Sequence, residues 1–150
     1  MRQTELTFEI MLRPEWLNGS GTYHGGEMLK LMDELCGSLA TVYDPRTYVT
    51  GFIHGVSLVG SPTVRNIIRG HAAICYTTPR TVTMEVTLYY RKRSETRDKE
   101  RVCAHGYYIF VDTDGTEPIA PFEPVDREKV ERLKKEVAVY LEESRKEREA

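Results

Sequence analysis

The 150-residue sequence has no apolar run of membrane-spanning length and no C-x-x-C pair. The first absence argues against a helical membrane protein, and the second gives no footing for a zinc site or a disulfide framework. The opening stretch MRQTELTFEI is too polar for the core of a signal peptide. Cysteine is scarce: Cys36, Cys75 and Cys103 are odd in number, far apart and set in apolar segments. That usage is expected of reduced, buried thiols in a cytoplasmic protein. An excess of one charge sign is also missing, because the formal net charge is only −2. A surface built as a whole for nucleic acid is therefore not expected. With 40% hydrophobic and 29% charged residues, the chain can close a core, and we read residues 1–150 as one domain.

Internal repeats, low-complexity tracts and linkers are absent too, so the order of elements carries the reading. Leu6, Phe8, Ile10 and Leu12 alternate with Glu5, Thr7, Glu9 and Met11, the period of a half-buried strand. From Glu27 to about Val42 the pattern is helical, with Met28, Leu31, Met32, Leu35, Cys36, Leu39 and Val42 spread over a wide apolar arc. Glu27, Lys30, Glu34, Ser38 and Thr41 form a narrow polar stripe, so this helix is expected to be nearly surrounded by protein. Thr47–Val59, Asn66–Thr78, Thr81–Arg93 and Lys99–Thr113 are rich in Val, Ile, Thr and Tyr and read as strands. Their short connections favour antiparallel pairing. Asp126 to about Arg148 reads as a second helix with Val130, Leu133, Val137 and Tyr140 in its seam. The expectation is an α+β fold: a five-stranded antiparallel sheet wrapped around a central helix, with a C-terminal surface helix. A free sheet edge and helix flank would remain, which a second copy would cover.

The chemistry-bearing stretch is Asn18–Glu34, NGSGTYHGGEMLKLMDE. Gly19 and Gly21 are followed by His24 where a dinucleotide loop needs its third glycine, and no Gly-Lys-Ser/Thr follows. The His24-Gly25-Gly26 triplet suggests an oxyanion loop, but Asn18 stands where a G-x-S-x-G elbow needs glycine. What remains is physical. Gly25 and Gly26 open the buried helix, whose first N–H groups lack intrahelical acceptors and so suit an anion or a polarised carbonyl. Asp33 falls at the border of the apolar arc, with Gly37 one turn further leaving room above it. It is either a general base or nucleophile or one more member of the solvated stripe. In the first case the amides and the acid would face one spot.

Gly21-Thr22-Tyr23-His24-Gly25-Gly26 followed by Met28 to Glu34 resembles the signature of the hotdog-fold acyl-CoA thioesterases, in the cytosolic acyl-CoA hydrolase branch. Tyr48-Val49-Thr50, Ser61-Pro62, Thr83-Met84-Glu85-Val86 and the run from Ala104 through Asp114 to Pro118 fall in the same order. The resemblance covers about residues 5 to 145. It implies hydrolysis of acyl-CoA, with coenzyme A entering as part of the substrate and no separate cofactor, at a site shared between two subunits. It also implies a homodimer at least, with trimers of dimers in the family. The residue matching Asp33 acts there as base or nucleophile, and the amides matching Gly25 and Gly26 polarise the thioester carbonyl. Thr22 occupies a position usually held by Asn or Asp facing the site from the partner; it can hydrogen-bond but cannot act as a base.

Coenzyme A carries a pyrophosphate and a 3′-phosphate, so cations are expected near the pocket mouth. Arg80 with Thr81 is the candidate on family grounds. Arg91, Lys92 and Arg93 are further candidates, or a charged hairpin kept soluble by the Glu95, Asp98 and Glu100 that follow. The acyl group is expected along the central helix among Met28, Met32 and partner residues. His24 either holds the glycine loop or caps the helix. His71 and Cys75 would lie about 13 Å apart on a strand, and His54 and His105 lack ligand partners at useful spacings, so no metal is expected. A non-catalytic acyl-CoA sensor of the same fold is the rival reading. A dehydratase is weaker, because no aspartate accompanies His24.

Overall fold

In the computed structural model, residues 1–115 and 117–149 are described. The alternating and β-branched runs form β1 (Glu5–Met11), β2 (Tyr48–Leu58), β3 (Asn66–Thr77), β4 (Thr81–Lys92) and β5 (Arg101–Asp112). The helical periodicities form α1 (Gly25–Tyr43) and α2 (Arg127–Glu149). Every element falls where the pattern places it, with ends shifted by a residue or two. Pro14–Trp16 and Arg97–Lys99 add short 3₁₀ turns.

The five strands make one antiparallel sheet in the order β1-β3-β4-β5-β2. The sheet wraps around α1, which is the hotdog arrangement. Strand alternation sends Ile68, Ala72, Val86, Leu88 and Tyr108 inward. They meet Met28, Met32, Leu35, Cys36, Leu39, Ala40 and Tyr43 of α1, all buried. Gly70 lies at the closest approach: a Cβ there would stand 2.3 Å from Phe8 Cε1 and 3.0 Å from Leu35 Cδ2. Deleting a buried side chain such as Met32 would leave a cavity costing about 2–5 kcal/mol. Among the described residues no helix is long and apolar enough to cross a membrane.

The outer face of the sheet carries α2, through Val130, Leu133 and Val137 packed over Tyr76 and Ile109. Tyr140, expected in the same seam, is 50% exposed instead. By that point the helix has reached the sheet margin, and the ring leans on Phe52 and His54 of β2. A polar anchor fixes the other end of α2. Lys129 Nζ donates to Glu85 Oε1 at 2.6 Å, while His105 Nε2 lies 2.7 Å and Tyr107 Oη 3.3 Å from Glu85 Oε2.

Edge strand β2 is irregular. Its register against β5 shifts between Thr50 and Phe52 and again between His54 and Ser57. Gly55 sits in the second shift with φ of +61°, a backbone that a side chain would strain. Along this edge Val49, Ile53, Leu58 and Val59 are exposed. Val42 of α1 is exposed as well, so the helix is open on one side and not enclosed all round.

The Glu85 anchor generates a pH prediction. The bond to His105, opposed by burial and reinforced by Lys129, lowers the Glu85 carboxyl from 4.5 to about 2. A depressed folded-state value stabilises above the unfolded value, and that contribution fades as pH falls from about 4.5 towards 2. Urea titrations across this window should show a loss of stability that Glu85→Gln reduces. At neutral pH Glu85→Gln should cost about 1–2 kcal/mol. Equal acid sensitivity in both proteins would refute the assignment.

Candidate active site

The segment entering α1 is tied down by its own polar groups. Asn18 Oδ1 accepts from the N–H groups of Ser20 and Thr22 at 2.9 and 3.2 Å, and Asn18 Nδ2 donates to Thr22 Oγ1 at 3.0 Å. Gly21 makes this turn with φ of +78°. Thr22 is thus at the entrance of α1, with its hydroxyl engaged by Asn18.

His24 is the N-cap of α1: Nδ1 accepts from the Gly26 N–H at 2.9 Å. Of the two uses foreseen for this histidine, capping is the one made, and it requires a ring unprotonated at Nδ1. The cap also commits an amide that the sequence assigned to substrate. Among the described residues, the N–H groups of Gly25 and Glu27 have no acceptor, so the free donors are these two and not Gly25 with Gly26. Gly25 faces the end of β2, where an added Cβ would stand 3.1 Å from Leu58 Cδ1.

Asp33 is half-buried on the side of α1 that faces β2, where Thr50 Oγ1 donates to its Oδ1 at 2.5 Å. Of the polar stripe, Lys30, Glu34, Ser38 and Thr41 are exposed, whereas Glu27 is half-buried like Asp33. One turn earlier, the buried Tyr108 hydroxyl donates to the Leu29 carbonyl at 2.9 Å. The room expected above Gly37 is filled by a ring, since a Cβ there would stand 3.1 Å from Phe110 Cε2. Met28 and Met32, expected to line the acyl group, are closed into the core at 3% and 0% exposure. A shallow depression runs along the outward side of α1, lined by Glu34, Gly37, Ser38, Thr41 and Val42, and Asp33 is not part of its lining.

One distance governs how these parts relate. Asp33 is eight residues past Gly25 on a continuous helix, a rise of about 12 Å. A carbonyl held by the Gly25 amide is out of reach of the Asp33 carboxylate of the same chain. The expectation that both face one spot fails within a single copy.

Arg80 and Thr81 are further away. Arg80 Nη1 binds Asp112 Oδ2 at 3.0 Å, a carboxylate shared with Arg46, which also pairs with Asp44 just past the end of α1. Thr81 is held in the same turn by Thr78. Both residues therefore sit at the opposite end of α1 from Gly25, roughly 27 Å away along the helix. Arg91 is 9% exposed, with Nη1 3.2 Å from Glu9 and 3.1 Å from Glu100. It braces the outer face of the sheet. Thr50 and Asn18, which touch Asp33 and Thr22 directly, have no signal in helical spacing because both contacts arise from the tertiary fold or a turn.

No protein-family model and no curated protein matches the chain by sequence. Among solved structures it is similar to a hexameric acyl-CoA thioesterase, with 23% identity over 97% of this chain and 93% of that one and a TM-score of 0.74. It is also similar to an acyl-CoA hydrolase from Staphylococcus aureus in complex with butyryl coenzyme A, coenzyme A and coenzyme A disulfide. There the identity is 18% over 95% of this chain and 92% of that one, with a TM-score of 0.79. A third likeness is to an acyl-CoA hydrolase from Agrobacterium tumefaciens, with 16% identity, 77% of this chain covered and a TM-score of 0.70. This chain spans 45% of that protein's length. These likenesses establish the fold.

The cap assignment is testable. His24→Ala should destabilise the protein by about 1 kcal/mol in urea titrations, and His24→Asn, which can accept from the same amide, should recover most of the loss. Unchanged stability in His24→Ala would show that the bond to Gly26 is not maintained in solution.

Proposed function

We propose that the protein is an acyl-CoA thioester hydrolase whose site is assembled from two copies of the chain. The observation that carries this reading is Asp33. It is a half-buried carboxylate oriented by Thr50 on an open helix flank, in a fold shared with acyl-CoA hydrolases. The free β2 edge and the exposed apolar residues beside it suit a two-fold partner. Such a partner can bring the helix entrance of one copy beside the Asp33 of the other, which resolves the 12 Å separation.

In this site the Gly25 N–H, at the positive end of α1, polarises the thioester oxygen, assisted by the Glu27 N–H. Gly26 serves by its lack of a side chain, with its N–H on His24. Thr22 stands beside these donors and can hydrogen-bond a water or the carbonyl. The Asp33 carboxylate removes a proton from water as the water oxygen bonds to the carbonyl carbon. The C–S bond then breaks, and the departing thiolate takes the proton from the Asp33 carboxyl. Alternatively, Asp33 attacks the carbonyl carbon directly, the C–S bond breaks to release the thiolate, and water then hydrolyses the mixed anhydride, freeing the carboxylate and giving up a proton that the thiolate takes. Single turnover in labelled water separates the two routes, because only direct attack leaves label in the Asp33 carboxylate.

Asp33→Asn should abolish thiol release from acyl-CoA esters while binding is retained. Tight binding without release by the unaltered protein would instead favour the sensor reading. Gly25→Pro is the matching test of the amide. Proline is accepted at the first helical position, and His24 already has the extended backbone that precedes proline, with φ −67° and ψ 129°. The substitution removes one N–H and should lower kcat by about 10²–10³-fold with the fold intact. Mixing Asp33→Asn with Gly25→Pro should restore activity through hybrid pairs, each having one unaltered site. No restoration from subunits that demonstrably exchange would rule out the shared arrangement.

A further inference from the structure

We propose that the cleft between the β2–β3 loop and the β4–β5 turn binds the nucleotide phosphates of coenzyme A, through Arg65, Lys92 and Arg93. The inference rests on the hydrolase reading for its ligand and assigns that ligand's charged end. The cleft has a volume of about 490 Å³ and is lined by Thr63, Arg65, Asn66, Lys92, Arg93 and Ser94. Three cations converge there and no carboxylate lines the wall.

The neighbouring arginines are all neutralised. Arg69 pairs with Glu100, Arg91 with Glu9 and Glu100, Arg97 with Glu9, and Arg101 with Glu95. By contrast, Arg65, Lys92 and Arg93 have no carboxylate partner among the described residues. In a chain with 23 acidic and 21 basic side chains, there are enough carboxylates to neutralise them. Like charges kept together with no carboxylate at salt-bridge distance repel one another, and an anion relieves that cost.

The backbone around the cleft is fixed by hydrogen bonds. Asn66 Oδ1 accepts from the Thr63 N–H at 2.7 Å, and the Asn66 N–H donates to the Thr63 carbonyl at 2.9 Å. The Asn66 side-chain amide then retains its own donors, with no acceptor among the described residues. Across the cleft, Glu95 Oε1 accepts from the Lys92 N–H at 2.8 Å. That contact shapes the turn through the Lys92 backbone, and the Lys92 ammonium forms no salt bridge among the described residues.

Position connects the cleft to the reacting end. The β2–β3 loop starts at Leu58, against Gly25, and its Pro62 carbonyl accepts from the Tyr23 N–H at 2.9 Å. It then crosses β5 and β4 to reach β3, three inter-strand spacings or about 14 Å. A flexible pantetheine arm can follow that course, with its thioester near the helix entrance and its phosphates at the cations. Within one copy, Arg80 and Thr81 lie at the far end of α1 and Arg91 is ion-paired on the outer face.

The test uses a charge-reversed double variant, Lys92→Glu with Arg93→Glu, against the unaltered protein. The readouts are kcat/KM for an acyl-CoA and for the same S-acyl-pantetheine, which lacks every phosphate. The preference for the CoA ester should fall by about tenfold or more, and Lys92→Arg with Arg93→Lys should retain it. A preference unchanged by charge reversal overturns the proposal. Calorimetric binding of free CoA and of pantetheine separates this outcome from failure of the hydrolase reading. Loss of CoA binding alone in the reversed variant supports the cleft even in a protein that releases no thiol; undiminished CoA binding overturns it even in an active enzyme. Adenosine 3′,5′-bisphosphate should displace CoA where the same concentration of inorganic phosphate does not. Equal displacement by both would reduce the cleft to a general anion site and overturn the assignment.

Discussion

The burial of α1 against the concave face of the sheet is the constraint from which the rest follows. Met32, Cys36, Leu39 and Ala40 are fully enclosed, so the helix cannot rotate, slide or bend without opening the core. Its entrance and Asp33 are therefore held at a fixed separation, and neither can move to meet the other. The same burial leaves one flank uncovered, beside the irregular edge of β2. If the entrance amides and Asp33 act on one substrate, as proposed, a second rod has to bring them together.

The sheet explains why that second rod has a defined place to go. On one margin, β1 is followed by the turn and loop that enter α1. On the other, β2 carries exposed valine, isoleucine and leucine side chains directly beside Asp33 and Thr50. The outer face is occupied by α2, locked at its start by Glu85 and Lys129 and resting at its middle on Tyr76 and Ile109. The charged ends of the molecule are likewise sorted. Arg46 and Arg80 converge on Asp112 at the exit of α1, whereas Arg65, Lys92 and Arg93, which form no salt bridge among the described residues, gather on the side of its entrance.

Much of this was legible in the sequence, and the reasons are local. Period-two alternation placed five strands and period-3.6 patterns placed two helices, because each pattern reports which face of an element is buried. The helix entrance could be read from Gly25, Gly26 and His24, and Asp33 from its place at the edge of the apolar arc. The illegible parts depend on contacts between distant segments. Periodicity says that Gly37 is small but not that Phe110 fills the space above it. It marks Arg91 as a cation near a strand end, yet Glu9 and Glu100 come from other strands. The strand order, which sets β2 at an edge and Thr50 against Asp33, leaves no local trace. Arg65 lies in a loop with no pattern at all, and only the fold brings it to Lys92 and Arg93.

The two register shifts in β2 have a consequence for how copies assemble. A straight apolar edge strand can add neighbour after neighbour, and its pairing can slip by two residues without changing which face is buried. A strand kinked at Gly51 and again around Gly55 offers only short straight stretches, so lateral growth into an open-ended ribbon has no continuous template. The feature that distorts the margin therefore removes the continuous template on which open-ended edge pairing depends.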